Sequence, residues 1–307
     1  MTGLGLDFSS GTVTGGVDAT MRVLTPLPYL LAFYDGRIEG MRLHSPAPNW
    51  LDDGAFSLGV CSYVIVSGTE ALVYDTHISL DHARRIRAVL AERGVRHIRV
   101  VLSHWHVDHV AGNEVFADCE IIAEARTQEA LQTNREALET GTPPIKPVIL
   151  PSRIFQDRLK LRVGEIELEL RHADIHSFDG VVVMLPDGVM LAGDTLEDSV
   201  TYVVEPARLE THLATLREME GWEIRRVLPN HGAEEIIAAG GYGPKLVEAT
   251  RLYVEQLLRL RDEPALAKQD LKTFAAAAFA TAEVNYFAPY EPVHRQNVQA
   301  VLGLQGH

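Results

Sequence analysis

Cysteine and long apolar runs are both scarce in this sequence. Of its 307 residues only Cys61 and Cys119 are cysteines, and they do not form a C-x-x-C pair. They cannot build a disulfide framework, so we expect free thiols in a reducing compartment. No apolar run reaches the roughly 18 residues of a membrane span. The Gly, Ser and Thr rich start has no basic residue before Arg22, which is not typical of a signal peptide. We therefore expect a cytoplasmic protein.

Basic residues are also few. Lys and Arg number 28 against 42 Asp and Glu, which gives a net charge of −14. A chain of this charge repels nucleic acid and anionic membrane surfaces. The composition therefore favours a small-molecule substrate over a nucleic-acid or membrane partner. A hydrophobic content of 46% and a charged content of 23% are ordinary for a globular protein with a large core.

The order of predicted elements indicates an α/β fold. A first strand pair is expected within residues 24–40, around the turn Tyr34 to Arg37, and a hairpin over 61–75. An amphipathic helix over 81–94 and the strand IRVVLS follow, so a β–α–β unit ends at Ser103. Ligands of α/β folds bind beyond the carboxyl ends of strands, which is where the chain continues into SHWHVDHVAGN.

Later segments predict more strands and helices. A helix near 126–139 precedes a Pro-broken linker, and hairpins turn at Val-Gly-Glu and at Pro-Asp-Gly. A helix around 207–220 and a strand at IRRVLP close this part. The pattern then changes to three amphipathic helices, and we predict a core domain over residues 1–243 and a helical extension over 244–307 packed on it.

The segment 103–113 concentrates metal-binding side chains. His104 and His106 form an H-x-H pair, whose rings point to one side of an extended backbone. Asp108 and His109 are adjacent and would serve a second metal if the chain turns into a helix there. The alternative is a solvated loop that is rich in histidine by chance.

The sequence H104-W-H106-V-D108-H109 resembles the H-x-H-x-D-H signature of the metallo-β-lactamase fold hydrolase superfamily. Its other marks follow in order over roughly residues 55–235. They are Asp75 at the end of ALVYD, His176 in IHSFDG, Asp194 in LAGDT and His231 in LPNHG. A single aspartate of this kind would more often lie in a turn or a helix cap, and a single histidine would more often be an ordinary surface or core residue. The ordered set of matches is specific for the superfamily.

This resemblance implies a four-layer αβ/βα sandwich and two adjacent divalent metal ions. His104, His106 and His176 would hold the first metal, and Asp108, His109 and His231 the second. Asp194 would bridge the two, and Asp75 would orient the loop by hydrogen bonds without binding a metal. Zinc is the expected metal, with iron or manganese as alternatives.

Two such ions supply hydroxide at neutral pH and leave a charge of about +1 at the site, which favours a developing oxyanion or an anionic substrate. We therefore predict a dinuclear hydrolase of a small ester, thioester, lactone or amide, with Asp108 holding or relaying the proton. Because Asp194 stands where true β-lactamases of this fold usually carry Cys or Ser, the sequence resembles the glyoxalase II and lactonase branch.

Two other functions remain open from the sequence. One is a mononuclear iron dioxygenase that resembles the persulfide dioxygenases, and the other is a phosphodiesterase or nuclease, which the net charge disfavours.

The substrate-binding residues and the oligomeric state, a homodimer included, are also open. Candidates for an apolar pocket wall are Trp50, Phe56, Tyr63, Tyr286 and Phe287. His172 is expected not to be a ligand, and His77 lies two residues after Asp75, close to the expected site.

Overall fold

A computed structural model describes residues 17–37, 44–45, 47–52 and 59–303 of the chain. Its strands form two sheets. Among the helices of these residues, none combines the length and apolar character needed to cross a membrane. Both cysteines are free thiols, Cys61 buried and Cys119 partly buried.

The first sheet has seven strands in sequential order. The first four strands pair antiparallel, and from the fourth onward the pairing is parallel. The strands are β1 (Arg22–Leu27), β2 (Leu30–Asp35), β3 (Val60–Ser67), β4 (Glu70–Tyr74), β5 (His97–Val101), β6 (Glu120–Glu124) and β7 (Arg153–Phe155). Parallel pairing brings the carboxyl ends of β4 and β5 to the same edge, where Asp75 and the histidine motif begin.

The second sheet has five strands in the order β12-β11-β10-β9-β8. It is antiparallel except for its last pair, β11 and β12, which run parallel. The strands are β8 (Arg158–Val163), β9 (Ile166–His172), β10 (Val181–Met184), β11 (Val189–Gly193) and β12 (Arg226–Pro229). Asp194 and His231 follow the parallel pair, so they leave the sheet at one edge.

Most helices pack on the outer faces of the two sheets, whereas the one at Glu234–Ala238 contacts β1 and β2 and contributes Ile237 to the apolar cluster between the sheets. The helices are α1 (Val17–Thr20), α2 (Leu80–Glu92), α3 (Val107–Val110), α4 (Ala125–Thr133), α5 (Arg135–Thr140), α6 (Leu209–Met219), α7 (Glu234–Ala238), α8 (Lys245–Arg259), α9 (Leu271–Phe274), α10 (Ala276–Phe279) and α11 (Glu291–Val301). Short 3-10 helices occur between them, among them Pro206–Arg208 and Ala288–Tyr290.

Three apolar clusters define four layers. Between the sheets, side chains such as Tyr63 and Leu72 meet Leu170 and Leu191. Outside the first sheet, another cluster includes the apolar face of α2. The third cluster lies outside the second sheet and includes α6 and the helices after residue 244. This αβ/βα sandwich with a helical C-terminal region confirms the predicted fold class.

Three predicted elements differ from the structure. The turn of the first strand pair lies at Pro28 and Tyr29 and not at Tyr34 to Arg37, because Leu27 already pairs with Leu30 and leaves these two residues as the turn. The helix predicted near 126–139 is two helices that meet at Asn134. The second of the three C-terminal helices consists of two single turns, α9 and α10.

Candidate metal centre

The histidine motif folds as a loop followed by one helical turn. His106 is the residue before α3 and has extended backbone angles, whereas Asp108 and His109 lie in the helix. The two halves of the motif are therefore presented differently, and the chain makes the turn from loop into helix that a second metal site would require. β11 ends at Gly193, whose φ is +57°, and an added Cβ there would lie 2.9 Å from the Cβ of Ser103. Glycine thus allows the strand that carries Asp194 to pass close to the histidine loop.

The structure brings the seven predicted ligands together in two adjacent groups. The first contains His104, His106 and His176, and the second contains Asp108, His109, Asp194 and His231. Within the first group, His106 Nδ1 lies 2.9 Å from His104 Nε2 and 3.0 Å from His176 Nε2. Within the second, His231 Nε2 lies 3.2 Å from Asp108 Oδ2.

Asp194 connects the two groups through one oxygen. Its Oδ2 lies 3.0 Å from His109 Nε2 and 3.2 Å from His231 Nε2. The same oxygen lies 3.6 Å from both His104 Nε2 and His176 Nε2. This position fits a carboxylate that bridges two cations.

Hydrogen bonds fix the other nitrogen of several rings. His109 Nδ1 lies 3.0 Å from Asp75 Oδ2, and His231 Nδ1 lies 2.9 Å from the carbonyl of Gly59. His176 Nδ1 lies 2.9 Å from the carbonyl of Tyr202. These acceptors take the ring N–H, so that Nε2 of each ring turns a lone pair toward the centre. His104 Nδ1 lies 2.9 Å from Ser103 Oγ and can donate to it in the same way.

The donor set fits divalent metal ions. Tetrahedral ligands at zinc distances of about 2.0–2.1 Å stand about 3.3 Å apart, close to the separations found here. Asp194 Oδ1 is buried and lacks a hydrogen-bond partner in the described part of the chain. A zinc-type cation binds converging imidazole lone pairs beside a buried carboxylate. Burying these polar groups together without a cation would be unfavourable.

The electrostatics of the site favour the ligand forms of His104, His106 and Asp194. Burial lowers the pKa of His104 well below its ordinary value and that of His106 to about 3, so both rings are neutral at neutral pH. Burial acts against the ionisation of Asp194, but His109 and His231 beside it outweigh burial and hold its pKa well below the usual range. The carboxylate is anionic and attracts a cation. At His109, His176 and His231, burial acts to lower the pKa of the ring, but neighbouring carboxylates outweigh it and raise the pKa, so these rings would lose a proton when they bind a cation.

The oxygens of Asp75 support both the loop and a ligand. Oδ1 accepts the backbone N–H of Ser103 at 2.6 Å, and Oδ2 faces His109. Asn230 Nδ2 donates to Oδ2 at 2.6 Å. Asp75 lies outside both groups of candidate ligands, and its supporting role remains a prediction. Asn230 was missed, although its place next to His231 was a usable signal.

Two further histidines lie outside the two groups. His77 stacks on His82 with ring centroids 4.4 Å apart, and its Nδ1 accepts the N–H of Ile78. His172 Nε2 lies 2.8 Å from the carbonyl of Phe178, in the loop that carries His176. This contact ties His172 to the loop.

A cavity of about 350 Å³ opens over the candidate metal centre. Its described lining combines centre residues with Trp50, Trp105, Val107, Tyr202 and Val204. The lining also includes Glu197, whose carboxylate lies 3.2 Å from His176 Nδ1. Sequence reasoning missed Trp105, Tyr202 and Glu197, although Trp105 lies within the motif itself and Glu197 three residues after Asp194.

Trp50 is the one residue of the predicted pocket wall that lines this cavity in the described part of the chain. Tyr63 is fully buried and donates to the carbonyl of Pro229. Tyr286 is 42% exposed, and the guanidinium of Arg37 stacks on Phe287. Phe56 lies outside the described residues.

A sequence profile of the metallo-beta-lactamase superfamily matches residues 58–231, more than half of the chain. The chain belongs to this superfamily. Solved metallo-β-lactamases share its fold: DIM-1 metallo-beta-lactamase has a TM-score of 0.58 and 16% identity and covers 77% of this chain and 97% of its own. The metallo-beta-lactamase from Pontibacter korlensis has a TM-score of 0.55 and 15% identity and covers 74% and 99%. At such identities the likeness shows the fold alone.

Curated relatives of this superfamily member include fungal thioesterases. The atrochrysone carboxyl ACP thioesterase AgnL7 of Paecilomyces divaricatus is 28% identical over 210 residues, which are 67% of this chain and 61% of the relative. The lactamase-like protein ptaB of Pestalotiopsis fici is 27% identical over 183 residues, 58% of this chain and 52% of the relative. The chain thus spans about half to three fifths of the length of these relatives.

Proposed function

We propose that the protein is a dinuclear metal-dependent hydrolase that cleaves a thioester with a neutral, apolar acyl group. The observation that carries the proposal is the position of Asp194 Oδ2, within 3.6 Å of nitrogens from both histidine groups. Two divalent ions bound there would supply hydroxide at neutral pH and stabilise a developing oxyanion. Zinc is the metal we propose.

The chain's own residues would bind the ions, orient the ligands and transfer the proton. The seven candidate ligands would hold the two ions, and Asp75, Gly59 and Tyr202 accept hydrogen bonds from the imidazole rings of His109, His231 and His176. Asp108 lines the cavity, and its side chain is 19% exposed. We propose that its carboxylate accepts a proton during hydrolysis and returns it to the departing thiolate.

The cavity walls support the choice of acyl group. Trp50, Trp105 and Val204 offer apolar surface, and the charged lining residues of the described chain are acids and histidines, without Lys or Arg. A remote carboxylate on the substrate would find no cation there apart from the metal ions. We therefore propose that the positive charge serves the reacting carbonyl, and that the rest of the acyl group is uncharged.

The thioester is favoured over the other carbonyl substrates by the relatives whose names specify a thioesterase. Thioester cleavage adds water across the bond between the acyl carbon and sulfur and yields a carboxylic acid and a thiol. The thiol belongs either to a small molecule or to a carrier protein, and comparing hydrolysis of the same acyl group on both distinguishes the two.

The test combines elemental analysis with a substrate panel. We expect two zinc ions per chain and hydrolysis of an aromatic acyl thioester of N-acetylcysteamine, or of the same acyl group on a carrier protein. Rates with a lactone and a β-lactam should be lower by at least about tenfold. One iron per chain with thiol-dependent oxygen uptake would contradict the proposal in favour of a dioxygenase, and preferred cleavage of RNA in favour of a nuclease.

A further inference from the structure

The ring of His176 is held by a segment that comes after β11 in the chain. Its Nδ1 lies 2.9 Å from the carbonyl of Tyr202 and 3.2 Å from Oε1 of Glu197. The backbone of His176 has a φ of +65°, which is uncommon for a residue other than glycine. Such a backbone conformation persists where the surroundings hold it. The orientation of the ring is set separately, by the two oxygens that face its Nδ1.

Glu197 is a buried carboxylate with each oxygen engaged. It is 1% exposed. Oε1 accepts the N–H of Tyr202 at 3.0 Å, and Oε2 accepts the hydroxyl of Tyr290 at 2.7 Å. In the described part of the chain its ion-pair partner is His176. A buried carboxylate needs such donors to stay in one position, so Tyr290 determines where Oε1 faces His176.

Tyr290 belongs to the C-terminal region, and other contacts tie this region to the same segment. Tyr290 ends the 3-10 helix before α11 and is fully buried. On α11, Asn297 accepts the N–H of Val203 at 2.8 Å and donates to the carbonyl of Thr201 at 2.9 Å. Ser199 Oγ donates to the carbonyl of Asn285 at 2.8 Å. The C-terminal region therefore fixes the backbone on which Tyr202 faces His176.

We propose that Glu197 and Tyr290 are positioning residues through which the C-terminal region sets the metal affinity of the site formed by His104, His106 and His176. The inference rests on the metal centre of the proposed function. It predicts a selective effect, because Asp108, His109 and His231 have other supporting contacts, such as Asp75 and Gly59. Supporting partners of this kind change metal affinity by about 10 to 100-fold.

The chain offers a matched pair of tyrosines for the test. Tyr290 and Tyr286 lie four residues apart, and each hydroxyl donates to a glutamate, Tyr290 to Glu197 and Tyr286 to Glu291 at 3.1 Å. Tyr290 is buried, whereas Tyr286 is 42% exposed and its glutamate does not contact the centre. Tyr290→Phe and Tyr286→Phe therefore remove the same kind of hydrogen bond. Only the bond of Tyr290 is connected to His176, through Glu197.

Zinc affinity is measured by competition with a chelator in two single-site backgrounds. In His231→Ala, which keeps the first site, Tyr290→Phe should weaken zinc binding by about tenfold and Tyr286→Phe should not change it. In His106→Ala, which keeps the second site, neither substitution should change the affinity. Equal weakening in both backgrounds, or none in the first, would overturn the inference and leave the proposed function standing. An unsubstituted protein that binds no zinc would overturn both.

Two substitutions of Glu197 provide a second test if Tyr290→Phe does not fold. Glu197→Gln keeps an oxygen that can accept from His176, whereas Glu197→Ala does not. We expect Glu197→Ala to weaken first-site zinc binding by about 10 to 100-fold and Glu197→Gln to recover most of the loss. The absorption spectrum of the cobalt-loaded first site should change in the same order. If both variants bound zinc at the first site as tightly as the unsubstituted chain does, this result would contradict the role of Glu197.

Discussion

Asp194 differs from the other carboxylates of the centre in how its two oxygens are used. Oδ2 faces histidines of both groups, and Oδ1 is buried without a hydrogen-bond partner in the described part of the chain. His106 likewise joins its group through Nδ1, while His104 and His176 use Nε2. We therefore expect that no neighbouring atom can replace the Oδ2 of Asp194 or the Nδ1 of His106 as a metal ligand.

Substitution of either residue should remove most of the activity. Asp194→Ala or His106→Ala should lower thioester hydrolysis by at least about 100-fold, because even residues that only support a ligand cost about 10 to 100-fold. The circular dichroism spectrum should not change. His97→Ala, at an exposed position on β5, is the control and should retain full activity. Retained activity in both centre variants would mean that the site is wrongly assigned.

Asp179 is a second residue whose chemistry depends on burial. Its side chain is fully buried in the loop after His176, and burial raises its pKa to about 6. Ser177 Oγ donates to Oδ1, while Oδ2 has no hydrogen-bond partner in the described residues. The folded protein therefore holds the proton on Asp179 to a higher pH than the unfolded chain does.

The pH dependence follows from this shift. Because the pKa of Asp179 is higher in the folded than in the unfolded chain, its contribution to stability is present below about pH 4 and is lost as pH rises through about 6. The loss is up to about 3 kcal/mol. Asp179→Asn, which cannot ionise, should gain stability relative to the unsubstituted chain over this interval. Denaturant unfolding at several pH values, with chelator present, measures the difference, and a constant difference would contradict the assignment.

At the scale of elements, the histidine loop and α2 approach each other closely at Gly112. A Cβ added there would lie 2.2 Å from the carbonyl oxygen of Thr76 and 2.5 Å from the Cβ of Ala83. Thr76 follows β4 and Ala83 is part of α2, so neither atom can move without the element that carries it. The end of the metal-binding motif therefore depends on the packing of β4 and α2.

Gly112→Ala should lower the free energy of unfolding by about 1–3 kcal/mol, because the added methyl group overpacks a rigid contact. It should also reduce zinc occupancy of the second site, since Asp108 and His109 lie in the adjoining turn. Gly221→Ala is the control, because its Cβ would meet only the carbonyl of Glu218 at 3.3 Å. Chemical denaturation and metal analysis check both effects, and equal stability of the two variants would contradict the packing argument.

At the scale of the whole molecule, the C-terminal helices share an apolar cluster with the second sheet. Leu257 and Val254 of α8 belong to the same cluster as Leu216 of α6 and Val227 of β12. The division into residues 1–243 and 244–307 remains a prediction. The shared cluster favours cooperative unfolding of the two parts. A homodimer through these helices is also still a prediction.

Leu257→Ala tests this cooperation. The side chain is fully buried, so its truncation should lower the free energy of unfolding by about 2–5 kcal/mol. The transition should remain single when it is followed by both circular dichroism and zinc release. Leu258→Ala, at a partly buried position, should lose less. Two separate transitions would show instead that the helical extension unfolds independently of the sheets.

The sequence determined the strongly periodic elements and the identity of the candidate ligands. Alternation in β8 and β9, the apolar stripe of α2 and the spacing of the histidine motif depend on neighbouring residues, so they can be read locally. The breaks at Asn134 and after Phe274 were missed, because the apolar pattern continues across them while the structure ends one helix and begins the next.

Only the tertiary structure decided what surrounds the ligands. Asn230 lies 155 positions from Asp75 and Tyr290 lies 93 from Glu197, and no periodicity links residues so far apart. Trp50 and Trp105 meet at the cavity from different parts of the chain. Local sequence fixes which groups can bind a cation because that is a property of the side chain, whereas their supporting contacts and the cavity depend on how distant segments pack.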